Sequence, residues 1–298
     1  MNIPLSSMLL MIFSINFSGW LLLPVGSSYV CPHQCICYEH ADLVDCCNGK
    51  FEHVPRGLPH GTWLLKLGGN NLSIIETRTF IGLWSLRVLV LTNSHIKEIQ
   101  AQAFFSLSFL EKLDLSWNQI TTLPVDFSSS LSALKELRME HNSLNYISGF
   151  SLEHLDNMEK LDLSYNQLVS VGPGVFRGLS RLRQLFLHNN RLTVVEQGSL
   201  DMLPGLEVLQ LSNNNISQID SEALAPLYSL AILNLEGNNL HHLKFKTFIS
   251  LHTTATHIQL SVLFLPCQAT HGAATVSYIV SSARSYMSAT SILTTTKM

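Results

Sequence analysis

Residues 182–205 read LRQLFLHNNRLTVVEQGSLDMLPG and residues 206–229 read LEVLQLSNNNISQIDSEALAPLYS, with apolar residues and asparagine at the same stations. The leucine that opens these units recurs every 24 residues, at positions 110, 134, 158, 182, 206 and 230, with methionine replacing it once at 158. A unit of this length buries its apolar face only by stacking on its neighbours. The sequence therefore predicts a solenoid of stacked coils.

Each unit contains a Leu-x-Leu pair, which predicts a short parallel strand. Side chains alternate along a strand, so the two leucines point into the core and the residues around them form one exposed face. An asparagine three residues after the pair turns the chain, and its side-chain amide can satisfy backbone groups of the neighbouring coil. Ser94 replaces this asparagine in the second unit. Eight units are predicted over residues 62–253, beginning at Thr62, Leu86, Leu110, Leu134, Met158, Leu182, Leu206 and Leu230.

The first 28 residues are typical of a secretory signal peptide. Met8–Val25 is mostly apolar, and small residues suited to cleavage follow Pro24. The segment contains no Lys or Arg before its apolar core, so a retained signal anchor is the alternative. No later stretch has the roughly 18 to 20 apolar residues of a membrane-spanning helix. We therefore expect a protein secreted to the extracellular space or matrix, without a membrane span.

Five of the six cysteines lie within 31–47, directly after this signal. In an oxidising compartment such a cluster predicts disulfides rather than a zinc site. The pattern Cys31-x3-Cys35-x-Cys37-x8-Cys46, followed by Val54-Pro55, resembles the N-terminal cysteine-rich cap of extracellular leucine-rich repeat proteins. Residues 29–61 are therefore predicted to form this cap. The resemblance implies pairs Cys31–Cys37 and Cys35–Cys46 with Cys47 left over, although spacing alone also allows Cys35 to pair with Cys47.

The repeat pattern fails after Leu251. The next unit has His257 and Gln259 where leucines belong, and Ile258 and Leu260 fit only with a slip of one residue. Residues 254–298 are predicted to be a degenerate repeat and a disordered Ser/Thr-rich tail. Only Cys267 stands where related proteins have a second cysteine-rich cap. The chain therefore resembles a truncated form of a longer repeat protein, or one with an unrelated C-terminal end.

Composition and motifs argue against catalysis and against nucleic-acid binding. Charged residues make up 13% of the 298 residues and the net charge is −3, so no basic surface is indicated. The phosphate-binding, nucleophile-elbow and zinc-protease motifs are all missing from the sequence. We predict a non-enzymatic protein with no catalytic residue, no metal site and no cofactor.

The exposed face of the predicted sheet carries the candidate binding site. Lys112, Glu136 and Lys160 form one column of alternating charge. Asp114, Arg138 and Asp162 form a second, aromatic residues lie beside it, and within each column neighbouring charges can pair laterally. Such a ladder can simply neutralise itself, each exposed pair contributing about 0 to 1 kcal/mol. Aromatic residues and arginine are, however, the residue types that anchor protein interfaces. The predicted partner-binding residues are Asp114, Trp117, Arg138, His141, Asp162, Tyr165 and Phe186.

Two glycosylation sequons fall in the repeats, Asn71-Leu72-Ser73 and Asn215-Ile216-Ser217. Both asparagines follow the structural asparagine of their unit, at an outward station. Glycans on Asn71 and Asn215 are expected to flank the first and seventh repeats and to leave repeats three to six open.

The repeats and the cysteine pattern together identify the chain as a member of the extracellular leucine-rich repeat proteins with 24-residue units. The resemblance implies an α/β fold, a curved horseshoe with a parallel β-sheet on its concave face. Within this group, the cap spacing resembles outliers of the small leucine-rich proteoglycans such as nephrocan and chondroadherin. The uniform step departs from the alternating repeat lengths of that group, so Slit-like and Toll-like ectodomains are alternatives.

Members of this family bind extracellular proteins, so the resemblance implies a growth factor, receptor or matrix protein as partner. Two alternatives stay open: a matrix-structural, collagen-binding protein, and a truncated product without independent function.

Overall fold

The computed structural model describes residues 31–241, 247, 251 and 257–262. The predicted signal at 1–28 therefore lies outside the described residues, as do Cys267 and the Ser/Thr-rich tail beyond Val262. In the described part of the chain, no helix is long and apolar enough to cross a membrane.

In the described residues, the cap, the repeats and the segment after them form one sheet of eleven strands, in which each repeat strand pairs in parallel with the strand of the next coil. Leu65 pairs with Leu89 and Leu89 with Leu113, so the register advances by one repeat per strand. Among the strands that the structure describes, only the first pair, in the cap, is antiparallel. In sheet order, the strands are β1 (Ile36–Tyr38), β2 (Leu43–Asp45), β3 (Leu64–Lys66), β5 (Val88–Val90), β7 (Lys112–Asp114), β8 (Glu136–Arg138), β9 (Lys160–Asp162), β10 (Gln184–Phe186), β12 (Val208–Gln210), β14 (Ile232–Leu240) and β15 (His257–Val262).

The opposite side of the coils consists mainly of turns. Two small parallel ribbons lie there, β4 (Ile74–Ile75) with β6 (Glu98–Ile99) and β11 (Val194–Val195) with β13 (Gln218–Ile219). A 3₁₀ helix covers Glu39–Ala41 in the cap. The α component of the predicted class is therefore slight in the described residues, because a 24-residue coil leaves little chain for helices once the strand and two turns are made.

The core follows the leucine stations along the whole solenoid. Both leucines of each Leu-x-Leu pair are buried, and so is the Met139 that replaces one of them. A column of phenylalanines packs behind them, with ring centroids 5.9 Å apart for Phe80 and Phe104 and 5.6 Å apart for Phe104 and Phe127. The predicted parallel solenoid is confirmed.

The asparagine column joins successive coils through hydrogen bonds inside the core. Asn142 Nδ2 donates to the carbonyls of Leu115 (2.9 Å) and Met139 (3.1 Å), and its Oδ1 accepts from the Ile120 amide (3.0 Å). These backbone groups lie at the turn, where no sheet partner is available to them. Similar bonds are made by Asn118, Asn166, Asn190, Asn214 and Asn238.

Ser94 compensates in part for the missing asparagine of the second unit. Its hydroxyl donates to the Leu67 carbonyl at 2.9 Å, one of the bonds that an asparagine makes at this station. Asn118 Oδ1 in turn accepts from the amides of Ser94 and Ile96, both at 3.0 Å. The column is therefore continuous across the exception.

The N-terminal cap contains the disulfides Cys31–Cys37 and Cys35–Cys46, as the family resemblance implied. Cys47 is free and exposed, so the alternative pair with Cys35 is not formed. Strand β2 pairs in parallel with β3, and the Cys46 carbonyl accepts a hydrogen bond from Asn70 Nδ2 at 3.0 Å. The cap is thus joined directly to the first rung of the asparagine column.

The C-terminal end of the sheet carries one strand more than the eight predicted repeats supply. Strand β15 pairs in parallel with β14, and Ile258 and Leu260 align with Leu233 and Leu235. This register is the slip of one residue that the sequence required. The strand lies within the segment 254–298 that was predicted to be a degenerate repeat.

Candidate functional site

We use the name sheet face for the surface made by the exposed side chains of the main strands and of the residues just after them. The first column of this face alternates in charge across β7, β8 and β9. Lys112 Nζ and Lys160 Nζ each lie 3.3 Å from a different carboxylate oxygen of Glu136. Partial burial raises the pKa of the Glu136 carboxyl, but the hydrogen bonds and charges of the two lysines outweigh it and hold that pKa below its usual value. Glu136 is therefore ionised and paired on both sides.

The second column is centred on Arg138. Its Nη2 and Nε lie 2.6 and 3.1 Å from Glu140 Oε1, whereas its Nη1 is 3.9 Å from Asp114 Oδ2. The hydrogen bond to Glu140 raises the pKa of Arg138 further above neutrality. Glu140 is only 8% exposed, and its second oxygen, Oε2, has no hydrogen-bond partner. Arg138 is thus neutralised mainly by Glu140.

The two aspartates of this column accept hydrogen bonds within the turns that follow their strands. Asp114 Oδ1 accepts from the amide (3.0 Å) and hydroxyl (2.6 Å) of Ser116, and Asp162 Oδ1 accepts from Ser164 at the same two distances. The lateral pairing that the alternating signs suggested is present between Arg138 and Asp114. Between Arg138 and Asp162 the structure shows no ion pair, because the guanidinium turns toward Glu140.

Three aromatic rings stack on one another just beyond the ends of β7, β8 and β9, and we call Trp117, His141 and Tyr165 the aromatic ladder. The ring centroids of Trp117 and His141 are 3.7 Å apart, those of His141 and Tyr165 are 4.2 Å apart, and both pairs are within 13° of parallel. Trp117 is 58% exposed and Tyr165 is 45% exposed. The structure therefore brings together three of the predicted binding residues as an exposed stack with His141 in its centre.

The backbone at the ladder is left-handed, with φ of 57°, 57° and 52° at Trp117, His141 and Tyr165. This conformation costs an ordinary residue roughly 1–2 kcal/mol and suits glycine and asparagine best. At the same station the other coils carry those two residue types: Gly69, Asn93, Asn189, Asn213 and Gly237. Bulky rings therefore occupy a station of the turn that does not require them.

Phe186 belongs to a neighbouring group of rings on the next coil. His188 lies edge-on to Tyr165, with centroids 5.4 Å apart, and edge-on to Phe186 at 6.3 Å. Lys160 Nζ is 5.8 Å from the centre of the Phe186 ring. His188 was not among the predicted site residues, although it links Phe186 to the ladder. Its Nδ1 is buried without a hydrogen-bond partner, and burial lowers the pKa of the imidazole.

A further charge ladder precedes the strands and was missed in the sequence. Glu111 pairs with Arg87 Nη1 at 2.6 Å and with Lys135 Nζ at 2.8 Å, and Arg183 pairs with Glu207 at 2.7 Å. The signal is visible in the sequence as a charge that changes sign every 24 residues, just before six of the eight repeat strands: Arg87, Glu111, Lys135, Glu159, Arg183 and Glu207. These pairs border the sheet face on the side away from the aromatic ladder.

The two sequon asparagines are both exposed. The backbone amide of Asn71 donates to the Phe51 carbonyl, and Asn215 Oδ1 accepts from Asn239 Nδ2. Neither contact occupies the side-chain nitrogen that a glycan modifies.

Over residues 31–241 and the short described segments after them, no group of three His, Cys, Asp or Glu side chains is arranged to hold a metal ion.

These features define a class: a disulfide-capped β-solenoid with an open sheet face. A family model described as "Leucine rich repeat" matches residues 84–144, 132–192 and 180–240, which together exceed half of the chain. The chain belongs to the leucine-rich repeat family.

Individual relatives match over shorter stretches. Leucine-rich repeat-containing protein 3B of Danio rerio is 35% identical over 106 residues, which are 34% of this chain and 41% of that protein. The Homo sapiens protein of the same name is 36% identical over 105 residues, 35% of this chain and 40% of that protein. The match thus spans about two fifths of the length of these relatives.

Two solved structures share the fold. Human 5T4 (Wnt-activated inhibitory factor 1, trophoblast glycoprotein) superposes with a TM-score of 0.65 at 29% identity, over 76% of this chain and 88% of 5T4. A TLR13–ssRNA13 complex gives a TM-score of 0.66 at 24% identity, over 72% of this chain and 31% of TLR13, and this likeness concerns the fold alone.

Proposed function

We propose that this protein is a secreted, non-enzymatic binding module whose sheet face engages an extracellular protein: a growth factor, a receptor or a matrix component. The observation that carries the proposal is the exposed aromatic ladder beside Arg138. Aromatic side chains and arginine dominate the energetics of protein interfaces, and here they lie on one continuous sheet. Leucine-rich repeat proteins generally act as protein-interaction modules, which supports the same reading.

The seven predicted binding residues have unequal roles in this proposal. Trp117 and Tyr165 are exposed enough to be covered by a partner, and His141 supports both rings from between. Arg138 is already paired with Glu140, so it contributes mainly to the charge pattern. Phe186, Asp114 and Asp162 form the flanks of the site.

The test is capture of extracellular proteins on the immobilised, secreted chain. We expect Trp117→Ala with Tyr165→Ala to reduce the affinity for the captured protein by more than about 1 kcal/mol, which is typical of an interface anchor. Trp84→Ala is a matched control, because Trp84 is 55% exposed and lies outside the sheet face. Equal capture by the double variant and by wild type excludes the aromatic ladder as the site.

The proposed binding module and the alternative, a matrix-structural protein, differ in the partner that they bind. The likeness to human 5T4, named as a Wnt-activated inhibitory factor, favours a signalling partner over a purely structural one. A collagen-binding, matrix-structural protein is the second candidate, and solid-phase binding to collagen against a growth-factor panel separates the two. A chain that is secreted poorly and captures nothing supports the alternative of a truncated product without independent function.

Secretion and glycosylation belong to the same proposal. Expression in mammalian cells should yield a chain in the medium that begins near residue 29 and that loses mass on treatment with a glycosidase specific for N-linked glycans. Asn71→Gln and Asn215→Gln should each remove one glycan. The narrower resemblance to nephrocan and chondroadherin gains no specific support from the relatives and stays a prediction.

A further inference from the structure

The aromatic ladder has one open end. His141 covers one face of Trp117, and on the other side the same station of the preceding coil holds Asn93, which is exposed and has no ring. Among the described residues, no second ring and no cation lies over Trp117, and the indole is 58% exposed. A flat group placed on the open face of Trp117 would continue a stack whose spacings are 3.7 and 4.2 Å. The open end therefore suits a planar guest.

The charges beside the ladder favour a cationic guest. On β7, β8 and β9, the column that flanks the ladder holds Asp114, Arg138 and Asp162. Together with Glu140, the residue before His141, these side chains carry a formal charge of −2. Glu140 takes the closest contacts of Arg138, at 2.6 and 3.1 Å, and Asp114 keeps only the distant contact of 3.9 Å. Within the described chain, no lysine or arginine lies within 4.0 Å of the Asp162 carboxylate. Among the residues that the structure describes, Asp114 thus has only the distant ion pair with Arg138, and Asp162 has no ion pair.

We propose that the open end of the aromatic ladder binds an arginine side chain of the protein partner, whose guanidinium stacks on Trp117 and takes Asp114 as its counter-charge. This inference rests on the proposed function and deepens it. A guanidinium is both planar and permanently charged, and it stacks on aromatic faces while donating to carboxylates. A lysine ammonium lacks the plane, and a neutral aromatic side chain makes no use of the carboxylates. An anionic partner is repelled by them.

The separation of Asp114 and Asp162 predicts the spacing of two arginines in the partner segment. It lies two strands from Asp114, which corresponds to about 10 Å at the usual separation of neighbouring strands. In a polyproline II segment, residues three apart point to the same side and are separated by roughly 9 Å. A segment with the pattern Arg-x-x-Arg in this conformation therefore places one arginine at Asp114 and Trp117 and the next at Asp162.

The probe is the peptide Gly-Pro-Arg-Pro-Pro-Arg-Pro-Gly-amide with an uncharged fluorophore on its N-terminus, titrated by fluorescence anisotropy with the purified secreted chain. Its two controls replace both arginines by lysine or by citrulline, which keeps the plane and removes the charge. We expect the arginine peptide to bind about 2–5-fold more tightly than the lysine peptide, the range of a cation–π contact at an exposed site. The citrulline peptide should bind more weakly than the arginine peptide as well.

Variants of the protein test which residues cause the preference for the arginine peptide. Trp117→Asn and Trp117→Ala should each remove the preference for arginine over lysine, and Asp114→Asn should weaken both charged peptides while leaving the citrulline peptide unchanged. Trp84→Ala and Asp156→Asn change an exposed tryptophan and an exposed aspartate elsewhere and should alter nothing. Circular dichroism of each variant confirms that the fold is intact.

Three results overturn the inference: equal affinity for the arginine and lysine peptides, an unchanged preference in both Trp117 variants, or no binding of any peptide at millimolar concentration. If a captured protein still depends on Trp117 while the peptides show no preference, the arginine site is excluded and the proposed function stands. If the peptides behave as expected but capture is indifferent to the ladder, the arginine site stands and the proposed function fails.

Discussion

Two ladders run side by side along this solenoid, one residue apart in the chain. Asn118, Asn142 and Asn166 are buried, and each bonds to backbone groups of its own and of neighbouring coils. The residues immediately before them, Trp117, His141 and Tyr165, turn outward and touch mainly one another. The side chains of the first ladder satisfy backbone groups that the fold leaves unpaired, whereas the side chains of the second satisfy none.

This difference separates structural from functional constraint within the same turn. An inward side chain at the turn must pair three or more buried backbone groups, and an unpaired one costs about 1–3 kcal/mol. The outward position requires only a left-handed backbone conformation, which glycine and asparagine adopt most easily. Folding therefore does not account for aromatic side chains at the outward position, whereas binding of a partner does.

The largest effect should follow from breaking the inward ladder. Asn142→Ala leaves the Ile120 amide and the Leu115 and Met139 carbonyls without their buried partner, and we expect a loss of roughly 3 kcal/mol or more in the free energy of unfolding. Urea denaturation measures it, with His141→Ala as the neighbouring control from the outward ladder. Similar losses for both variants would show that the two ladders do not differ in the way we describe.

The inward ladder begins in the cap, so the cap disulfides should also matter to its stability. Cys35→Ser opens the pair with Cys46, whose carbonyl accepts the bond from Asn70, and should cost about 2–5 kcal/mol. Cys47→Ser is the matched control and should leave the melting temperature unchanged, because Cys47 is free and exposed. A comparable loss in the Cys47 variant would point to a structural role for that thiol.

Replacing an outward ring should change stability little and should reduce binding clearly. Trp117→Asn gives up ring stacking worth about 0.5–1.5 kcal/mol and relieves a left-handed backbone cost of roughly 1–2 kcal/mol. The melting temperature should therefore stay level or rise, while capture of the partner falls. A marked drop in melting temperature would contradict this prediction and would show that the aromatic ladder stabilises the fold.

The smallest expected effect is a pH dependence from His188, which adjoins the outward ladder. Burial lowers the pKa of His188, the charge of His141 adds to this, and Asp162 opposes it. The unfolded chain therefore binds a proton more readily than the native protein, so stability should fall as the pH drops below about 6.5, the unperturbed value. His188→Gln should reduce the loss between pH 7 and pH 5 in urea denaturation. An equal or steeper loss in the variant contradicts this assignment.

The sequence by itself determined the period, the strands, the inward leucines and the asparagine column, because each coil must repeat the same burial and the same backbone bonds to stack on the next. The cap pairing followed from its resemblance to a known family. Tertiary structure alone decided that Arg138 turns to Glu140 rather than to Asp162, that His141 lies between two rings, and that Ser94 keeps the column continuous. The physical reason is that exposed side chains choose among partners that differ by only about 1 kcal/mol, whereas a buried coil has one arrangement that leaves no polar group unpaired.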